Sequence, residues 1–124
     1  MTVAVIRKWR SSDGTQSGAR LYLWCPACED AHVVGVEGLE PRWEWNGSLE
    51  SPTVRPSIKV TGVQWAPGEH FHKPRHHLVA PGGQTVCHSF LRQGRWQFLP
   101  DSTHNLAGQT VDMVPLPDWI TNDD

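Results

Sequence analysis

The sequence predicts a mainly β fold: a small single domain of short antiparallel strands and hairpins, with a zinc-knuckle turn and one short helix near 102–107. Three observations lead there. Short β-branched or alternating segments recur between turn signals, the pattern of small all-β chains. Ten Pro and 11 Gly among 124 residues supply those turns. Cys25-Pro-Ala-Cys28 places two thiols on one tight turn, and a β-like segment follows it instead of a long helix.

Each element has its own reason. Thr2–Trp9 is β-branched and apolar, and 11–18 is a polar loop. Ala19–Trp24 alternates Leu21 and Leu23 with Tyr22 and Trp24, and His32–Val36 is a short strand. Asn46-Gly47 inside Arg42–Glu50 predicts a two-residue type I′ hairpin, with Trp43 and Trp45 on one face. Pro52 and Pro56 bracket Thr53-Val-Arg, which argues against a central strand there. Ser57–Trp65 alternates again. Residues 66–84 read as a long loop, a length that is often functional. Thr85–Leu91 and Arg95–Leu99 form a second hairpin about Gln93-Gly94. With those two as loop residues, Leu91 opposes Trp96 and Ser89 opposes Phe98. That register turns Cys87, Ser89, Leu91, Trp96 and Phe98 towards the core and His88, Phe90, Arg92, Arg95, Gln97 and Leu99 away. Asp101-Ser-Thr-His104 offers a helix N-cap, with Gly108 as the C′ residue. The tail from Pro115 is extended and 121–124 frays.

Hydropathy and charge narrow the function classes. No apolar run approaches the ~20 residues of a membrane span. Eleven basic against 13 acidic residues give a net charge of −2, which argues against a duplex nucleic-acid binder. The short apolar start is followed at once by charge, unlike a secretory signal. Three Cys, an odd number, make a disulfide framework a poor fit, so the expected setting is a reducing cytoplasm.

The thiols carry the clearest chemistry. Two thiolates on a Cys-x-x-Cys turn can hold one tetrahedral ion, and zinc needs two further ligands. Cys87 points inward at the open end of the second hairpin, and His104 lies four residues past Pro100 at that end. The expected set is therefore Cys25, Cys28, Cys87 and His104, with His32 and His88 as substitutes. Three thiolates and one imidazole make a closed, structural site. A thioredoxin-like redox pair is the bland alternative, but it requires a βαβ context. His70, His72, His76 and His77 read as a solvated loop that becomes cationic below about pH 6.5. Trp65, His70, His72 and Trp119 are the candidate partner-binding residues, since exposed Trp is enriched in interface hot spots.

Four ordered motifs resemble one family: Cys25-Pro-Ala-Cys28 with His32, the run Trp43–Ile58, Cys87–Gly94, and Phe98–Asp112. The family comprises small phage- and prophage-encoded proteins of unknown function, often labelled "ammonia monooxygenase", a label nothing in this sequence supports. The resemblance implies a zinc-binding accessory protein whose polar signature is Cys-x-x-Cys, His32, Cys87-His88 and His104. Relatives carry Cys where this chain has Ser102. More distant relatives lie beside bacterial ubiquitin-like conjugation genes, which implies contact with other proteins.

The leading expectation is a phage or prophage accessory protein: a zinc-stapled β module that binds a host defence or regulatory protein rather than catalysing a reaction. The first alternative is a zinc-dependent hydrolase. There Cys25, Cys28 and either Cys87 or His104 hold an open metal, with His32, His88 or Glu29 as acid or base. The second is single-stranded nucleic-acid binding by aromatic stacking.

Overall fold

Eight strands and one short helix follow one another in the computed structural model, which describes residues 2–63 and 84–121. They are β1 (Ala4–Arg10), β2 (Ser17–Cys25), β3 (Asp30–Glu37), β4 (Glu44–Trp45), β5 (Val54–Val63), β6 (Gln84–Arg92), β7 (Arg95–Phe98), β8 (Thr110–Asp112) and α1 (Asp118–Thr121). They build two antiparallel sheets, β1-β2-β3 and β4-β5-β6-β7-β8. The mainly β expectation holds. No helix among the described residues is long and apolar enough to cross a membrane.

Strict alternation sets the core. Leu21, Leu23 and Cys25 of β2 point inward, with Val34 of β3 beside them. From the second sheet come Ile58, Cys87, Leu91, Trp96 and Phe98. The β6–β7 register matches the sequence expectation: Leu91 opposes Trp96 and Ser89 opposes Phe98. Gln93 and Gly94 both take positive φ, as a type I′ turn requires. Each fully buried Leu or Phe contributes roughly 1.5–3 kcal/mol by leaving water.

Three expectations are corrected. Asn46-Gly47 does not close a two-residue hairpin. The Asn46 N–H bonds the Thr53 carbonyl, so β4 and β5 are joined across a longer loop. The Asn46 side chain organises that loop through Ser48, Ser51 and Thr53. Second, Val54 and Arg55 do enter an inner strand. Between the pairs Val54↔Leu91 and Ile58↔Ser89, four steps along β5 match two along β6. Pro56, which lacks an N–H, falls inside that irregular stretch, where no ladder bond is lost. Third, 102–107 is not a helix. The Ser102 and Thr103 side chains bond the β6 backbone, and turns follow to Gly108. The helix lies instead at Asp118–Thr121, in the tail expected to be extended, and the Arg7 side chain donates to the Ile120 carbonyl.

Candidate functional site: a Ser–His–Asp triad beside a thiol cluster

The cysteine cluster begins at the end of β2. The Cys28 N–H donates to Cys25 Sγ at 3.3 Å, the Glu29 N–H donates to the Cys25 carbonyl at 2.9 Å, and Glu29 takes a positive φ. This turn directs both sulfurs to one side. On β3, His32 opposes Leu23 and so shares the inward face with Cys25. Cys87 arrives from β6 in the other sheet. The ligand atoms of Cys25, Cys28, His32 and Cys87 all lie within 4.8 Å of one another, and all four residues are buried.

The separations can be tested against a tetrahedral ion. Bonds of about 2.3 Å to sulfur and 2.05 Å to nitrogen give S···S edges of about 3.8 Å and S···N edges of about 3.6 Å. Cys25 and Cys87 sulfurs are 3.8 Å apart, and His32 Nε2 lies 3.6 Å from Cys87 Sγ and 3.9 Å from Cys28 Sγ. The donor set fits. Electrostatics agree: thiol hydrogen bonds from Cys28 and Cys87 push the Cys25 thiol far below its ordinary range, while the neighbouring Cys25 and Cys28 sulfurs push Cys87 far above it. Without a cation the three sulfurs cannot all be thiolates at once, and Cys87 is the one that keeps its proton.

His104, expected as the fourth ligand, is not in this group. It is buried edge-on against Phe98, with ring centroids 4.7 Å apart, and its Nδ1 accepts the Leu106 N–H. His32, the substitute, is in the group because the β2–β3 register carries it there. Trp119 is 68% exposed and stands edge-on to Trp24. Trp65, His70 and His72 lie outside the described residues.

The opposite face of β6 holds an arrangement that the residue types alone did not reveal. Ser57 Oγ lies 3.0 Å from His88 Nε2, and His88 Nδ1 lies 3.0 Å from Asp101 Oδ2. Asp101 accepts from Nδ1–H, which leaves the Nε2 lone pair to accept the Ser57 hydroxyl proton. That hydrogen bond holds the Asp101 carboxyl below the usual carboxylate range. The slipped stretch of β5 brings Ser57 to His88, just after the cis Arg55–Pro56 peptide. Trp43 Nε1 donates to the Ser57 carbonyl at 3.2 Å. Ser102 fixes the histidine: its Oγ accepts the His88 N–H at 3.0 Å and donates to the His88 carbonyl at 3.1 Å. Trp43 also lines a cleft of about 520 Å³ with Val36, Glu37, Glu40, Arg42, Glu44 and Trp45.

Serine hydroxyl, imidazole and carboxylate in hydrogen-bonded sequence constitute the relay of nucleophilic serine hydrolases, which recurs on unrelated folds and is recognised by geometry. Fold and site thus define a small β protein carrying such a triad back to back with a Cys₃His cluster. The chain belongs to the BubE family, described as "Bacterial ubiquitination-like system serine protease (BubE)", whose family model matches residues 6–99. The match contains Ser57 and His88; Asp101 falls two residues beyond it. No curated protein and no solved structure matches the chain. Membership overturns the expected role as a phage accessory binding module, because the family is described by proteolysis within a ubiquitination-like system. The hydrolase alternative fits the family better, although it placed the chemistry on zinc and the family is described by a serine.

Proposed function

We propose that this chain is a serine protease whose nucleophile is Ser57, with His88 as general base and acid and Asp101 as the carboxylate that orients and stabilises the imidazolium. The observation that carries the reading is the pair of 3.0 Å contacts linking the three side chains in order. Ser57 Oγ attacks the scissile carbonyl carbon while its proton passes to His88 Nε2. The tetrahedral adduct collapses by breaking the C–N bond, and Nε2 returns the proton to the departing amine. Water then attacks the acyl-serine ester, with His88 again taking and returning a proton, and releases the carboxylic acid and free Ser57. The family description suggests the substrate: a protein of a bacterial ubiquitination-like system, cleaved at a peptide bond.

Cys25, Cys28, His32 and Cys87 hold zinc in this reading. Four buried protein ligands leave no open coordination position, so the ion supplies folding energy and not an activated water. The cluster ties the β2–β3 end of one sheet to β6 of the other.

A fluorophosphonate, which reacts only with an activated serine, tests the proposal. Intact-mass and peptide analysis should place one adduct on Ser57, with none in Ser57→Ala and a loss of at least a hundredfold in rate in His88→Ala. An unmodified wild-type chain, or labelling unaffected by His88→Ala, would reject it.

A further inference from the structure

A serine protease, the reading on which this inference rests, must also hold its substrate beside Ser57. The strand register bears on this. His88 uses its N–H and C=O on the side away from β5, towards Ser102 and Leu99. Val86 likewise bonds Thr103 on that side. Lys59 and Thr61 stand directly opposite His88 and Val86. In an antiparallel ladder, a residue opposite one that faces away itself faces away in the other direction. The main-chain N–H and C=O of Lys59 and Thr61 therefore point outward from the sheet.

Among the described residues no strand occupies that outer edge. β4 is the outer neighbour of β5, but it pairs only Glu44 with Arg55 and Trp45 with Val54. Trp43 then ends the β4 lane by capping the Ser57 carbonyl. Beyond Ser57 the edge runs through Lys59, Val60 and Thr61, all exposed. Ser57, Lys59 and Thr61 also share the side-chain face of His88, so a chain lying on this edge leads directly to the nucleophile.

We propose that the substrate binds as an added strand on the outer edge of β5, its main chain pairing with Lys59 and Thr61 so that an extended peptide is delivered to Ser57. An antiparallel peptide would exchange its hydrogen bonds at two residues separated by one, while the intervening amide points to solvent. The ligand class follows: an extended, unfolded segment such as a chain terminus or a linker, read mainly through its backbone. A folded domain whose strands are already paired or covered has no such segment to offer.

The test uses phosphonate probes on the whole chain. A tetra-alanyl diphenyl phosphonate can be recognised only through its main chain, whereas a simple alkyl fluorophosphonate needs only the triad. Thr61→Pro removes the outward N–H and no ladder bond, the one strand position type where proline is tolerated. The expected result is about a tenfold lower inactivation rate by the tetra-alanyl probe, the cost of one lost hydrogen bond. The fluorophosphonate rate should stay within about twofold, since no triad contact is altered. On the wild type, N-methylation of one alternate amide set of the peptide should cost as much, and of the other set nothing. If Thr61→Pro does not fold, the N-methylated pair decides alone. Unchanged rates for Thr61→Pro and both methylated probes would overturn the edge site while fluorophosphonate labelling keeps the protease reading. A wild type that resists fluorophosphonate would remove both.

Discussion

Cys87 and His88 are neighbours in sequence and belong to unlike places. Cys87 is 5% exposed and faces the buried Cys25, Cys28 and His32, whose donor atoms lie with its own within 4.8 Å of one another. His88 sits on the outer face of the same strand, with its side chain 21% and that of its partner Asp101 51% exposed. One face of β6 is a staple sealed from water, and the other is an open relay. The difference teaches that pleating alone can separate scaffold from chemistry. On the proposed reading, the cluster anchors the strand that carries His88 and lies on the face away from Ser57 and Asp101.

Experiments that separate fold from activity sharpen this contrast. The largest effect is expected from the closed face. Cys25→Ser, or extraction by a strong chelator, should lower the melting temperature by more than about 10 °C or leave the chain unfolded, followed by circular dichroism. Loss of peptidase activity at an unchanged melting temperature would instead make the cluster part of the chemistry and break the comparison. Ser57→Ala should do the reverse, abolishing fluorophosphonate labelling while stability stays within about 1 kcal/mol.

Asp101→Asn should lower kcat on the order of 10²–10⁴-fold with little change in KM, because an amide supports the wrong imidazole tautomer. The sign of the pH dependence follows from the depressed Asp101 carboxyl. Its ionised form is favoured above the ordinary carboxylate value of 3.8 and lost only as pH falls through the lowered one. A wild-type pH–rate profile should therefore show no loss attributable to Asp101 above about pH 4. Ser102→Ala removes two hydrogen bonds to the His88 backbone, and about 1–3 kcal/mol of stability together with a roughly tenfold lower kcat is expected. Steady-state kinetics beside a urea titration would separate the two. The smallest effect belongs to Ser89, whose buried hydroxyl has no partner among the described residues. Ser89→Ala should be neutral or stabilising by up to about 1 kcal/mol in the same titration.

The two faces also differ in how far the sequence announces them. Cys-x-x-Cys is a local spacing with one dominant meaning, and the Gln93-Gly94 turn carried Cys87 inward with correct register. The imidazole was harder. His32 enters through β2–β3 pairing, whereas His104 looked as near in sequence but is turned into a core contact with Phe98. The triad had no local signal. Ser57, His88 and Asp101 are common residue types, 31 and 13 positions apart. Their meeting depends on a slipped ladder at Val54–Ile58 that no turn motif predicts. The helix expected over 102–107 failed for a related reason. The side chains that looked like an N-cap are committed to β6.

Because side chains on a strand alternate with a period of two, a slip of β6 by one residue would turn Cys87 to solvent and bury His88. The cluster and the relay would be lost together, and neither could be rescued alone. On the proposed reading, the register that turns Cys87 towards the cluster is the same one that presents His88 on the opposite face.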